Sequence, residues 1–128
     1  MIYLDTSVAL AHLLAEDRSP PASIWDETLV SSRLLEYELW NRLHARRLAV
    51  SHGEHARELL QRLAMIELAP PVLARALEPF PVALRTLDAL HLASIEFLRG
   101  QRQDVTLATY DVRMAAAARK LGIRVLKM

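Results

Sequence analysis

The 128-residue chain contains no cysteine, which excludes a disulfide framework and any thiolate metal site. Lysine is nearly missing too: Lys120 and Lys127 stand against fourteen arginines. A receiver-type signalling domain needs a lysine late in its sheet and an acidic pair after its first strand. Asp5 stands alone there, so that class is set aside. No hydrophobic run is long. The longest, Val8 to Ala15, is interrupted by His12 and falls far short of the roughly 18 residues that span a bilayer. The opening Met1–Asp5 stretch carries no basic leader and no cleavage signal. Together these absences predict a soluble, cytoplasmic protein with no membrane partner. Repeats and low-complexity segments are also lacking, and the length predicts one domain over residues 1–128. A domain of this size buries about two-thirds of its unfolded surface, enough for a core without staples.

No sign of charge dominates: the formal net charge is +1. Its distribution is uneven. Residues 1–41 hold seven acids against Arg18 and Arg33, whereas residues 42–128 hold fourteen bases against eight acids. Arginine's planar fork suits phosphate recognition, although GC-rich codon usage would produce the same arginine excess.

What is present is an alternation of short apolar runs with helical stretches. Strands are predicted at Ile2–Leu4, Thr28–Val30, Met65–Leu68, Val105–Thr109 and Ile123–Leu126. Helices are predicted after Thr6 or Ser7; from Ser31 or Ser32 to about Leu48; from a Ser51–Glu54 capping box to about Leu63; over Val72–Leu77; from Thr86 to Arg99, ended by Gly100; and over Asp111–Leu121, with Gly122 just beyond. Such alternation predicts βαβ units and an α/β fold: a parallel sheet of four to five strands covered on both faces. Sites in such sheets lie at the carboxyl ends of strands.

That rule directs attention to acids. Asp5 follows the first strand directly, and Asp111 follows the fourth by one residue. Either alone reads as a helix N-cap; two together suggest a shared site. Asp88 lies in the first turn of its helix, where the dipole favours a carboxylate. Helical periodicity predicts a packed face of Leu87, Leu90, Ser94, Phe97 and Leu98, with Asp88 off that face beside His91 and Leu92. Glu36 and Glu38 share one helix but point about 200° apart, so only one of them can join, and periodicity does not choose. Converging carboxylates repel by about 4 kcal/mol per pair at 4 Å and an effective dielectric of 20. They must take up protons or hold a cation. An all-oxygen ligand set suits Mg2+ or Mn2+, which can orient and deprotonate a water for phosphodiester hydrolysis.

These residues resemble the PIN-domain superfamily, and the VapC-type toxins in particular. Tyr3-Leu4-Asp5-Thr6-Ser7 is similar to the family's first motif. Ser32 to Leu43 resembles its second, a glutamate followed by leucine and, four residues on, arginine. Leu87-Asp88-Ala89-Leu90-His91-Leu92-Ala93 resembles the third and is the most specific. Thr109-Tyr110-Asp111 resembles the fourth. The resemblance implies a three-layer α/β/α PIN-like fold and selects Glu38 over Glu36. It implies that Asp5, Glu38, Asp88 and Asp111 bind Mg2+ or Mn2+ and cleave RNA, with Thr6 or Ser7 orienting a carboxylate or a bound water. It further implies a homodimer silenced by a cognate antitoxin that docks over the site. Some members carry another acid shortly after the fourth motif; here Val112, Arg113, Met114 and Ala115 follow. The rival readings are a PIN nuclease of RNA maturation or decay, and a non-catalytic PIN-like binding module.

Other polar residues read more plainly. His52 and His55 fall within the capping-box stretch rather than forming a metal pair. His91, beside Asp88, is expected to pack or hydrogen-bond locally rather than shuttle protons. Arg42, Arg46 and Arg47 form a basic cluster, either a solvated helix face or a contact for RNA phosphates.

Overall fold

The computed structural model describes residues 1–128. Five short strands form one sheet: β1 (Ile2–Leu4), β2 (Leu29–Ser32), β3 (Leu63–Ile66), β4 (Thr106–Ala108) and β5 (Arg124–Val125). Their spatial order is β3-β2-β1-β4-β5, and every neighbouring pair is parallel. Six helices connect them: α1 (Thr6–Leu13), α2 (Arg33–Ala45), α3 (Ala49–Gln61), α4 (Pro70–Ala76), α5 (Thr86–Gly100) and α6 (Val112–Lys120).

Strand alternation sorts side chains into two cores. Ile2, Leu4, Leu29 and Ala108 face one way. They meet Val8 and Leu13 of α1, Leu35, Leu39 and Leu43 of α2, and Leu59 of α3. Tyr3, Val30 and Leu107 face the other way, onto Leu92 and Ile95 of α5 and Met114 and Ala117 of α6. Helix α4 lies on α5. The result is the three-layer α/β/α arrangement. Full burial of a leucine such as Leu35, Leu39 or Leu43 is worth about 1.5–3 kcal/mol. A surface i,i+4 pair contributes only a few tenths. Packing therefore decides which face of α2 turns inward.

Topology positions the site. The chain builds outward from β1 through β2 to β3, then crosses to the opposite side of β1 for β4 and β5. The strand order switches direction between β1 and β4. At such a point the connecting helices diverge to opposite faces and leave a crevice.

Several element ends differ from expectation, for identifiable reasons. Helix α2 stops at Ala45 because Arg47 adopts a left-handed φ of 56° and Leu48 N–H folds back to Leu43 O at 2.8 Å. No glycine marks that turn. Helix α3 therefore starts at Ala49, and Ser51 lies inside its first turn, donating to Leu48 O rather than forming a capping box. Gly100 falls at the end of α5, one place inside the helix rather than just past it. It is the last helical residue, and the left-handed position falls on Arg102 (φ 62°), with Gln103 N–H bonded to Leu98 O. Gly122 does take the left-handed conformation just beyond α6, at φ 76°. A short 3-10 turn at Ala22–Asp26, not foreseen, buries Ile24. No helix is long and apolar enough to cross a membrane.

Candidate active site

The carboxyl ends of β1 and β4 lie side by side. Leu4 is in register with Ala108, and Asp5 N–H donates to the Ala108 carbonyl at 3.0 Å. Asp5 takes the N-cap position of α1, yet its side chain caps nothing. Its Oδ2 accepts instead from the hydroxyls of Ser7 (2.7 Å) and Thr109 (2.8 Å). Those hydroxyls accept in turn from the loop after β4: Thr109 Oγ1 from Asp111 N–H and Ser7 Oγ from Tyr110 N–H, both at 3.0 Å. Asp5, only 5% exposed, is thus laced to the segment that carries Asp111. Asp111 Oδ1 accepts from Met114 N–H at 3.0 Å and caps α6.

Glu38 arrives from α2. Its Oε1 accepts from Thr6 Oγ1 at 2.8 Å and from His91 Nε2 at 2.6 Å. Glu36, on another face of α2, pairs with Arg33 at 3.0 Å, and Arg33 also reaches Glu67 at 2.7 Å. The structure therefore brings Glu38, and not Glu36, to the edge that holds Asp5.

Asp88 is the half-buried carboxylate of α5's first turn and makes no hydrogen bond. The buried run of α5 is His91 to Ile95, whereas Leu87 is 45% exposed. Of the expected packed face, Ser94 is buried and Leu98 packs on the sheet-side core, but Leu87 lies outside it and His91 and Leu92 lie within. One side of α5 meets the sheet, and Leu90 lines a second apolar cleft shared with α4. A single-stripe reading cannot separate the two sides. Asp88 lies one turn before His91 and Leu92, where the buried run of α5 begins. Burial raises the Asp88 carboxyl above the usual carboxylate range, and the negative charges of Asp111, Asp5 and Glu38 push the same way, against an opposing pull from His91. The four acids share one electrostatic neighbourhood.

Each held carboxylate uses one oxygen as an anchor and leaves the other without a protein partner. The uncommitted atoms are Asp5 Oδ1, Glu38 Oε2, Asp111 Oδ2 and both oxygens of Asp88. They are hard donors of the type that suits Mg2+ or Mn2+. Nowhere in the molecule do three acidic or histidine side chains already form a closed ligand set.

The sequence pattern described as PIN domain matches residues 2–120. The chain belongs to the PIN-domain family. Its relatives include Ribonuclease VapC47 of Mycobacterium tuberculosis (strain CDC 1551 / Oshkosh), 33% identical across 95% of this chain and 93% of that protein. Ribonuclease VapC46 of Mycobacterium tuberculosis (strain ATCC 25618 / H37Rv) is 35% identical, covering 98% of this chain and 95% of its own length. Ribonuclease VapC35 of the same species is 31% identical over 98% and 95%.

In this PIN domain, several residues that shape the site are not apparent from the sequence. Tyr3 reads as an apolar strand residue and Thr109 as a β-branched one. Yet Tyr3 OH hydrogen-bonds His91 Nδ1 at 2.7 Å, and Thr109 holds Asp5. Only cross-strand register could have flagged them. His91 is fully buried and hydrogen-bonded on both ring nitrogens, in line with its expected local role. Burial opposes its protonated form. The hydrogen bond that His91 donates to Glu38 and the charges of Asp5, Glu38 and Asp88 outweigh that and raise its pKa above the ordinary histidine range. His52 hydrogen-bonds its neighbour Ser51 and belongs to no ligand set. Arg42, Arg46 and Arg47 are exposed, and none forms an ion pair.

Proposed function

We propose that this PIN domain is a divalent-metal-dependent endoribonuclease, the toxin of a cytoplasmic toxin–antitoxin pair. The observation that carries the reading is that Asp5, Glu38 and Asp111 each keep one carboxylate oxygen without a protein partner and that their charges act on Asp88, whose two oxygens are also unpartnered. Asp5, Glu38, Asp88 and Asp111 would hold Mg2+ or Mn2+. Bound there, the ion supplies a water activated near neutral pH and neutralises charge on the phosphate in flight.

The chain's own residues do the positioning. Ser7 and Thr109 hold Asp5 with Oδ1 free. Thr6 and His91 hold Glu38 with Oε2 free. Asp88 has no protein hydrogen bond, so it would be the acid left free to orient toward the ion. Arg42, exposed one turn beyond Glu38, would be the basic side chain to meet an RNA phosphate. The VapC resemblance supports a homodimer and a cognate antitoxin as protein partner.

The test is cleavage of a mixed RNA substrate by purified, refolded chain. Cleavage should require Mg2+ or Mn2+ and stop with EDTA. It should fall at least 100-fold in Asp5→Asn and Asp88→Asn variants whose circular dichroism is unchanged. Cleavage that persists in EDTA, or in folded Asp88→Asn, would overturn the reading.

A further inference from the structure

The carboxylates come from different layers. Glu38 rides on α2, in the layer facing Ile2 and Leu4, whereas Asp88 rides on α5, in the layer facing Tyr3. The two helices share no extensive packing. One side chain bridges them. His91, a turn after Asp88 on α5, places Nε2 2.6 Å from Glu38 Oε1. Its other nitrogen lies 2.7 Å from Tyr3 OH, with the two rings edge-on at 82°. An ionised carboxylate only accepts, so the proton of this bond sits on Nε2. No lysine or arginine pairs with Glu38; His91 is its only ion-pair partner.

A buried neutral histidine needs an acceptor for its N–H and a donor for its other nitrogen, and in a purely structural role a backbone carbonyl serves as that acceptor. Here the Nε2 partner is a carboxylate that stays 20% exposed and whose other oxygen has no protein partner.

We propose that His91, oriented by Tyr3, is a positioning residue: a cross-layer strut that holds Glu38 so that Oε2 faces the carboxylates of Asp5 and Asp88. This deepens the metal-centre reading and rests on it. Partners behind a metal ligand typically alter metal affinity by about 10–100-fold when removed.

Calorimetric titration of Mn2+ into the full metal-free chain tests the strut without recourse to cleavage. His91→Ala should weaken Mn2+ binding by about 10–100-fold. His91→Gln, whose amide N–H can still donate to Oε1, should recover most of that loss. In a Glu38→Gln background, removing His91 should change affinity little, because the group it positions has already gone. Three results would each overturn the proposal: His91→Ala binding Mn2+ like the parent, His91→Gln binding as weakly as His91→Ala, or losses that add fully with Glu38→Gln. If His91→Ala does not fold, Tyr3→Phe removes one hydroxyl from the same column. A several-fold loss there supports the strut, and parental affinity overturns it. A parent chain that bound no Mn2+ at all would sink the metal-centre reading itself, an outcome distinct from a strut that fails alone.

Discussion

Asp5 and Asp111 hold equivalent places after neighbouring strands, yet their side chains are employed differently. Asp111 caps α6, whereas Asp5 occupies a cap position and is held by two hydroxyls instead. The contrast separates folding from chemistry by mutation. Asp111→Asn keeps an acceptor for Met114 N–H and should leave stability nearly unchanged while abolishing cleavage. Asp111→Ala should lose cleavage and also about 1 kcal/mol of stability, measured by urea denaturation. Thr109→Val removes the donor to Asp5 and the acceptor for Asp111 N–H together. It should cost about 1–3 kcal/mol by the same measurement. Asp88 differs again. Its charge is opposed by three neighbouring carboxylates and by burial, so it works against the fold. Asp88→Asn should therefore raise the melting temperature of the metal-free protein by a few degrees while destroying cleavage. A lower melting temperature would contradict that assignment of the repulsion.

At the scale of elements, backbone conformation decides what the glycines do. Gly122 sits at φ 76°, where an L side chain is strained whatever room surrounds it. Gly100 is helical, and an added Cβ there meets nothing within 4 Å. Gly122→Ala should destabilise by about 1 kcal/mol, and Gly100→Ala should stabilise by about 0.5–1 kcal/mol. Opposite shifts in thermal unfolding would check both at once. The helix ends show what local signals carry. Gly122 marked the end of α6 because glycine removes the strain of a left-handed turn. The left-handed residues just beyond α2 and α5 are Arg47 and Arg102, which have no such preference, and there the local signal misled. Helix α5 shows the same limit in its packing. Apolar residues surround it because the sheet covers one side and α4 another, so periodicity put Leu87 on the packed face and left His91 and Leu92 off it.

At the scale of the whole molecule, the sheet acts as a frame on which two layers present acids to one edge. Ion binding to the folded chain alone stabilises it by mass action. Mn2+ at 100 times its dissociation constant should add about 2.7 kcal/mol. The rise in melting temperature should be much smaller in Asp5→Asn. The sequence by itself determined the elements, their βαβ alternation and the parallel sheet, because strand-like apolar runs, caps and Gly122 act locally. It also picked out Asp5, Asp88 and Asp111 by their places at strand ends and in a first helical turn. Between Glu36 and Glu38 its periodicity was silent; resemblance chose, and the structure shows the geometry behind the choice, with one glutamate facing Arg33 and the other Thr6 and His91. The Tyr3–His91–Glu38 column and the Thr109–Asp5 lacing were decided by tertiary structure alone. Each joins residues far apart in the chain whose meeting depends on strand register and on which layer a helix covers, and neither quantity is written in any local run of residues.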